Sequence, residues 1–356
     1  MVRPFADGFT NLRAEWHLQG ETAARQRGLS RVPCNIRGGF ERQERAVEII
    51  AIEAQNESAR FVADLGCGCL GYRVGSIEVI WGPPSVEALA AAPHSSGIPI
   101  LFPWPGRIAQ AKFRWKGKEH TLPVNEPARG HAIHGLICDR PFRVSGRGPY
   151  YFTAELESAS DPQLTSLWPY PFRLTLDYEI GKGLRLTATV ANTGTSPMPF
   201  GFGAHPYFRV PLNPSGTRAG MQIQLPCARR RMLDEHLIPT GQDEPVSGNY
   251  DLKSPRELGN ESYDDVFHEA EPGADGMICG RLIDPSIKIA VEVRADSGFG
   301  DWVVYAPLDR PVVSIEPCAC APDAFNLAER GIDAGARELA PGASWQGEIE
   351  IRLNVP

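Results

Sequence analysis

Residues able to move protons or to bind polar ligands are concentrated in five short segments. These are GIPILFPWPGRI with Trp104 and Arg107, GHAIHGLICDRPF with His131 and His134, GFGAHPYF with His205, YDDVF with Asp264 and Asp265, and VVSIEPCACAPDAFNL with Glu316. Glu316 ends the apolar strand VVSI, where a buried carboxylate without a partner is costly. His205 fits either a packed ring with one hydrogen bond or a proton donor whose backbone is fixed by the next proline. A histidine and a glutamate with separated proton affinities form an acid/base pair that needs no cofactor.

The other residues each have a structural alternative. Arg107 fits a surface ion pair, the two histidines of GHAIHG fit loop positions or an i, i+3 metal pair, and Asp264 fits a turn cap. Trp104 fits either the core or a platform for a sugar ring. Together, however, these residue types suit a neutral, hydroxyl-rich ligand such as a sugar, with the aromatic face on the ring and charged groups on the hydroxyls.

Composition excludes several classes of partner. The chain has 356 residues and a net charge of -7, which argues against nucleic acid or an anionic membrane as its main partner. No apolar run approaches the length of a bilayer span. The N-terminal stretch MVRPFADGFTNLRAEW lacks the apolar region of a secretory signal, so a reducing cytoplasm is the expected location. The sequence leaves open whether the protein is a monomer or a dimer.

Two motifs associated with metals or cofactors lack the context that such sites need. Cys67 and Cys69, like Cys318 and Cys320, are separated by one residue, and no His-x-x-x-His partner follows. This spacing favours structural free thiols over a metal site. GCGCLG, residues 66–71, matches G-x-G-x-x-G but precedes a strand-like segment, whereas a dinucleotide site needs a helix there. We therefore expect a glycine-rich turn or bulge, and neither a metal nor an organic cofactor.

The elements that must position these residues are mostly strands. FRLTLDYEI and LRLTATV alternate apolar and polar residues on either side of GKG, which predicts a hairpin. The same period recurs in IKIAVEV and GEIEIRL, while WVVYAP and SIEVIW predict shorter strands, and SVEALAAA (85–92) is the one helical candidate. The pattern predicts an all-β fold, a large antiparallel β-sandwich forming a single domain over residues 46–356. Residues 1–45 have poor periodicity and are expected to form an N-terminal extension, a candidate for a poorly ordered segment.

The order of motifs carries a family resemblance. PILFPWPGRI, AIHG, MPFGFGAHPYF, D-x-x-F and SIEPCACAPDAFNL follow one another as in the aldose 1-epimerase (galactose mutarotase) family, and the resemblance extends over roughly residues 46–354. It implies the galactose mutarotase-like supersandwich, an antiparallel β-sandwich with a sugar cleft on one sheet. It also implies an isomerase that interconverts the α and β anomers of a free aldose.

The resemblance further implies a role for each matched residue. Glu316 corresponds to the general base that takes the anomeric hydroxyl proton, and His205 to the general acid that protonates the ring oxygen. His134 corresponds to a second histidine near that oxygen. Arg107 and Asp264 correspond to residues that bind sugar hydroxyls, while no metal or cofactor is implied.

Some positions leave the substrate open. The D-x-x-F motif favours Asp264 over Asp265, and Trp104 stays a candidate sugar platform. Gly106 and Arg209 stand where many family members have asparagine, which bears on substrate identity.

The sequence leaves two alternative functions open. Pro206 and Tyr305 favour an unphosphorylated sugar, because hexose-6-phosphate mutarotases tend to carry threonine and a WNP segment at those places. Arg140 and Arg209 are nevertheless available to bind a 6-phosphate. The second alternative, a carbohydrate-binding protein without catalysis, would be expected to lack Glu316 or His205.

Overall fold

The hairpin predicted around GKG is present in the computed structural model, which describes residues 29–33 and 44–354. Its strands, Phe172–Ile180 and Leu184–Asn192, pair in antiparallel with Ile180 opposite Leu184. Burial alternates along both strands as the sequence period predicts. Gly181 and Gly183 make the turn with φ of 143° and 111°, a region that glycine reaches without steric cost.

The described part of the chain is mostly strand. In chain order the strands are β1 (Leu29–Pro33), β2 (Glu44–Ala54), β3 (Glu57–Val62), β4 (Cys69–Val74), β5 (Ile77–Glu78), β6 (Ile100–Leu101), β7 (Arg107–Ile108), β8 (Lys112–Trp115), β9 (Lys118–Thr121), β10 (Ala132–Ile133), β11 (Arg143–Arg147), β12 (Tyr151–Glu157), β13 (Phe172–Ile180), β14 (Leu184–Asn192), β15 (Met198–Phe200), β16 (Gly203–Ala204), β17 (Phe208–Arg209), β18 (Gln222–Gln224), β19 (Cys227–Leu233), β20 (Pro239–Pro245), β21 (Arg256–Glu257), β22 (Tyr263–Ala270), β23 (Ile278–Asp284), β24 (Ile289–Ala295), β25 (Asp301–Ala306), β26 (Val312–Cys318), β27 (Arg337–Leu339) and β28 (Ser344–Asn354). The α-helices are α1 (Val86–Ala91), α2 (Pro162–Leu167) and α3 (Ala324–Glu329). Short 3-10 turns occur at Ala109–Ala111, Ser158–Ser160, Arg218–Gly220 and Gly248–Tyr250.

Two large antiparallel sheets face each other across the core. One has nine strands in the order β11-β12-β13-β14-β28-β24-β23-β18-β21, and the other has eight, ordered β20-β19-β22-β25-β26-β16-β6 with β17 paired to β26. The sheets approach closely where Gly280 of β23 meets Ile315 of β26, since a Cβ on Gly280 would lie 2.8 Å from the Ile315 Cγ2. The predicted antiparallel β-sandwich is therefore confirmed.

Several local predictions are confirmed and others are incomplete. α1 is present within SVEALAAA and begins after Ser85, whose hydroxyl accepts from the Ala88 amide. GCGCLG forms a turn that leads into β4, with a register shift against β3, and no helix follows. SIEVIW contributes only the two-residue β5 and an isolated bridge at Ile80. The helices α2 and α3 were not predicted from the sequence.

The predicted extension lies largely outside the described residues. Residues 1–28 and 34–43 are outside them, whereas β1 and the start of β2 are inside. β1 pairs with β2 in a five-stranded sheet that continues through β3 and β4 to β5. The predicted boundary after residue 45 consequently falls inside β2, and the single-domain assignment for residues 46–356 stays a prediction.

Candidate active site

A cavity of about 910 Å³ lies over the eight-stranded sheet. Three neighbouring strands, β22, β25 and β26, provide part of its wall through alternate side chains. Their pairing places Asp264 opposite Tyr305, and Val303 opposite Glu316. The predicted residues that line the cavity are Arg107, His134, His205, Asp264 and Glu316. Five residues from separate segments of the sequence are thus brought to one place.

His205 and Glu316 form the buried centre of this site. The His205 Nε2 lies 3.2 Å from the Glu316 Oε1, and both side chains are almost fully buried. Ser314, two residues before Glu316 on β26, lies 2.7 Å from the Pro206 carbonyl oxygen and 2.9 Å from the His205 Nδ1. Because the carbonyl can only accept, the hydroxyl donates to it and accepts from an Nδ1–H. The proton on Nδ1 is thereby fixed, and Nε2 is left to exchange protons with Glu316.

Burial sets the charge of this pair. It raises the pKa of Glu316 well above the ordinary value and lowers the pKa of His205 to about 3, because a charged form is poorly solvated in the protein interior. Both shifts favour the neutral forms. The pair at rest therefore carries one exchangeable proton and no net charge.

His134 stands beside His205 on the cavity wall. The two rings are 5.3 Å apart between centroids and nearly perpendicular. The His134 Nδ1 is buried and has no hydrogen-bond partner among the described residues, and burial is the main cause that lowers the pKa of this ring. The following Gly135 has φ of 78°, and a Cβ there would lie 2.1 Å from the Phe102 carbonyl oxygen. The glycine after His134 is thus required by a close backbone approach.

Arg107 is held by two carboxylates. Its Nε and Nη2 donate to Glu126 at 3.0–3.2 Å, and its Nη2 lies 3.4 Å from the Asp264 Oδ2. Both acids line the cavity with it. Burial raises the pKa of Asp264, and the neighbouring Arg107 opposes that rise. Glu126 was missed by the sequence analysis, since nothing in PVNEPARG separates it from a surface glutamate.

Asp264 and Asp265 are consecutive on β22, so their side chains point to opposite faces of the sheet. Asp264 lines the cavity, whereas Asp265 points to the other face of β22 and pairs with the Arg230 Nη1 at 2.7 Å. Arg230 also lies over the Tyr250 ring at 3.6 Å. Asp265 therefore has a structural partner away from the cavity.

Trp104 is a correction. The expectation that it forms a sugar platform is wrong, because its ring is 2% exposed, packs 5.8 Å from Trp168 in the core and does not line the cavity. The aromatic rings that do line the cavity are Tyr207 and Tyr305. Tyr207 is stacked on His205 with 4.2 Å between centroids. The platform prediction is wrong because the indole is buried in the hydrophobic core.

His131 belongs to the loop structure. Its ring is buried, its Nδ1 accepts from the Gln110 amide at 3.1 Å, and it does not line the cavity. Among residues 29–33 and 44–354, no three His, Cys, Asp or Glu side chains form a group able to hold a metal ion. Within the same ranges, no helix is long and apolar enough to cross a membrane.

Three further arginines bear on substrate choice. Arg140 lines the cavity and donates to Asp161 and Gln163 at 3.0 Å each. Arg209 is exposed on β17 and does not line the cavity. Arg310, in the loop between β25 and β26, lines it with the guanidinium 5.0 Å from the Tyr207 ring centroid. Arg310 has no carboxylate partner in the part of the chain that the structure describes.

The fold and the site together define a sugar isomerase of a known class. The family model described as aldose 1-epimerase matches residues 48–352, so the chain belongs to that family. It is therefore an isomerase.

Relatives of known sequence range from uncharacterized proteins to named enzymes. The uncharacterized protein YihR of Escherichia coli is 31% identical over 245 residues, which are 66% of this chain and 72% of YihR. Human galactose mutarotase is 27% identical over 168 residues, 46% of each chain. The maltose epimerase of Levilactobacillus brevis is 27% identical over 186 residues, covering 49% of this chain and 54% of that enzyme.

Solved structures share the fold at lower identity. A galactose mutarotase-like protein from Clostridium acetobutylicum superposes with a TM-score of 0.80 at 21% identity, covering 87% of this chain and 96% of that one. The galactose 1-epimerase of Lactobacillus acidophilus superposes with a TM-score of 0.68 at 16% identity, covering 88% and 97%. These similarities confirm the predicted fold.

Proposed function

We propose that the protein interconverts the α and β anomers of an unphosphorylated aldohexose, with Glu316 and His205 as the acid/base pair. The observation that carries this proposal is the 3.2 Å contact between His205 Nε2 and Glu316 Oε1 in the cavity wall. Ring opening of an aldose needs one group to accept a proton from O1 and one to donate a proton to O5. A histidine and a carboxyl group in contact, sharing one exchangeable proton, supply both.

The proton balance of each turnover closes within the pair. Transfer of the shared proton from Glu316 to His205 Nε2 creates a carboxylate and an imidazolium. Glu316 then takes the O1 proton as the C1=O bond forms and the C1–O5 bond breaks, and His205 gives its Nε2 proton to O5. Rotation about C1–C2 presents the other face of the aldehyde. Reclosure reverses both transfers and regenerates the carboxylate and the imidazolium. Return of the proton from His205 Nε2 to Glu316 then restores the neutral pair.

The surrounding residues orient the sugar in this proposal. Arg107 and Asp264 bind ring hydroxyls, and the two carboxylates that hold Arg107 keep its guanidinium from rotating freely. His134, adjacent to His205, lies near the ring oxygen. Tyr207, stacked on His205, limits the orientation of that ring.

Two features support a free sugar as the substrate. Arg209, one of the two arginines available for a 6-phosphate, is exposed outside the cavity. Arg140, the other, has its charge opposed by Asp161. A hexose 6-phosphate is the second candidate substrate, favoured by Arg310, the cavity arginine without a carboxylate partner in the described residues.

A cytoplasmic location is part of the same proposal. Seven cysteines in the described part of the chain are free thiols and all but one are buried, which suits a reducing compartment.

Polarimetry tests the substrate and the activity together. Freshly dissolved α-glucose and α-galactose are expected to reach equilibrium faster with the enzyme than without it, and glucose 6-phosphate is expected to respond much less. Acceleration confined to glucose 6-phosphate would overturn the choice of a free sugar. Binding of sugars without any acceleration would instead support the carbohydrate-binding alternative.

A further inference from the structure

The loop that follows α1 brings a third histidine to the cavity. His94 lines the cavity, and its ring is 5.6 Å from the His134 ring. His134 is in turn 5.3 Å from His205, so His134 is a close neighbour of both. Nothing in the sequence analysis singled out His94, because PHSSG reads as an ordinary polar loop.

Two side chains from the site fix this loop. The Tyr207 hydroxyl donates to the His94 carbonyl oxygen at 2.6 Å, and the Arg310 guanidinium donates to the Ser95 carbonyl oxygen. Arg310 also lies over the Trp81 and Tyr207 rings, 5.0 Å from each centroid. The backbone at His94 is thus tied to Tyr207, which itself is stacked on His205.

The His94 ring has one buried nitrogen available for a ligand. Its Nδ1 is buried without a hydrogen-bond partner among the described residues, although buried polar atoms are nearly always paired. Burial lowers the pKa of His94 to about 4, so the ring is neutral near pH 7. A neutral imidazole offers one donor and one acceptor, the pair of functions that a hydroxyl group matches.

We propose that His94 is a substrate-binding residue that contacts the hydroxyl at C6 of the sugar. The assignment of C6 rests on the proposed function, in which His205 faces O5 and Glu316 faces O1. The other ring neighbour of O5 is C5, which carries C6. A side chain that lies beyond His134 on the wall therefore meets the exocyclic group at C5.

The test compares sugars with and without that hydroxyl. Wild type and the His94→Phe variant are assayed with glucose, with 6-deoxyglucose, and with xylose, which lacks C6 altogether. For glucose we expect KM to rise about three- to tenfold with kcat nearly unchanged, the effect of one hydrogen bond made equally in ground and transition states. For 6-deoxyglucose and xylose we expect the same KM in both proteins.

The outcomes separate this inference from the proposed function. Wild-type protein that accelerates none of the three sugars would overturn both. An equal change in KM on all three sugars, or no change on any, would overturn the role of His94 while leaving the activity in place. His94→Gln, which retains a donor and an acceptor, is expected to recover part of the glucose KM and supplies the same comparison if the phenylalanine variant does not fold. His236→Gln, at an exposed histidine outside the cavity, is the matched control.

Discussion

Ser314 Oγ lies 2.9 Å from His205 Nδ1, on the same strand face that carries Glu316 two residues later. β26 therefore supplies both the carboxyl group that faces one ring nitrogen and the hydroxyl that holds the other. The hydroxyl is itself oriented by the Pro206 carbonyl oxygen at 2.7 Å. The two groups that face the ring nitrogens of His205 thus come from a short stretch of one strand.

The Ser314→Ala variant tests this relationship. We expect kcat to fall about ten- to a hundredfold, because an unpaired buried Nδ1–H costs about 1–3 kcal/mol and the ring is free to change its tautomer. The matched control is Ser158→Ala, since Ser158 is also fully buried and its hydroxyl accepts from the Phe172 amide. That control is expected to lose stability and keep kcat. Equal kcat values in the two variants would argue against a role for Ser314 beyond packing.

Glu316→Gln and His205→Asn test the acid/base pair directly. Each change keeps the approximate size of the side chain and removes its proton transfer, so we expect kcat to fall by about two to four orders of magnitude. Combining the two is expected to cost little more than either alone, because they act as one unit. Polarimetry on the purified variants measures the effect, and full activity in Glu316→Gln would contradict the mechanism.

The pH dependence follows from the charge of the pair. In the proposed mechanism the active pair holds one exchangeable proton, which resides on Glu316 at rest. A second proton inactivates the pair by protonating His205, whose pKa is lowered to about 3. The acid limb of kcat/KM is therefore expected below about pH 4, well under the ordinary histidine value of 6.5. Proton loss from Glu316, whose pKa is raised, sets the alkaline limb. A pH profile on glucose measures both limbs, and half-maximal activity near pH 6.5 would contradict a neutral resting pair.

The close approach of Gly135 to the Phe102 backbone predicts that alanine is more destabilising at Gly135 than at Gly130. Gly135 and Gly130 both have positive φ, 78° and 71°, but only Gly135 would place a Cβ against backbone. Gly130→Ala is expected to lower the free energy of unfolding by about 1 kcal/mol, the cost of the left-handed conformation. Gly135→Ala is expected to cost at least about 2 kcal/mol more, because the Phe102 backbone must move. Urea unfolding measures both, and equal losses would show that the clash relaxes.

The carboxylate that holds Arg107 is expected to act on substrate binding. Glu126→Gln removes the charge that pairs with Nε and Nη2 of Arg107 while keeping the side-chain length. We expect KM to rise about three- to tenfold with little change in kcat, because the guanidinium loses its fixed orientation toward the sugar hydroxyls. Glu119→Gln, at an exposed position on β9, is the control. A loss confined to kcat would place Glu126 in the chemical step instead.

The strands of the sandwich were predictable where one face is buried and the other is exposed. β13 and β14 alternate cleanly, so the hairpin and its register follow from the residues between them. The period fails for SIEVIW, where only Ile77 and Glu78 pair as a strand. α2 had a recognisable start that was overlooked, since Asp161 caps the helix and Pro162 occupies its first turn. α3 begins after Asp323 in the left-handed region, a start that composition does not reveal.

The grouping of residues at the cavity could be expected from the sequence only where a residue has no structural reason for its place. The carboxylate after the apolar VVSI pointed to Glu316, and the proline after the histidine pointed to His205. The motif order added the role expected of each, and of Arg107. His94 and Glu126 lie in polar loops, where a functional residue and a solvated one look the same in the sequence. The prediction that Trp104 forms a sugar platform was wrong because an indole suits a core and a sugar platform equally well. Only the packing against Trp168 separates the two.

The position of β26 within the eight-stranded sheet also determines which strands must pair before Glu316 and His205 can meet. β26 pairs with β25 on one side and with β16 and β17 on the other, and His205 lies in the short connection between the latter two. Glu316 and His205 consequently meet only after strands distant in sequence have joined. Neither segment alone can form the His205–Glu316 contact, which therefore depends on long-range strand pairing within this sheet.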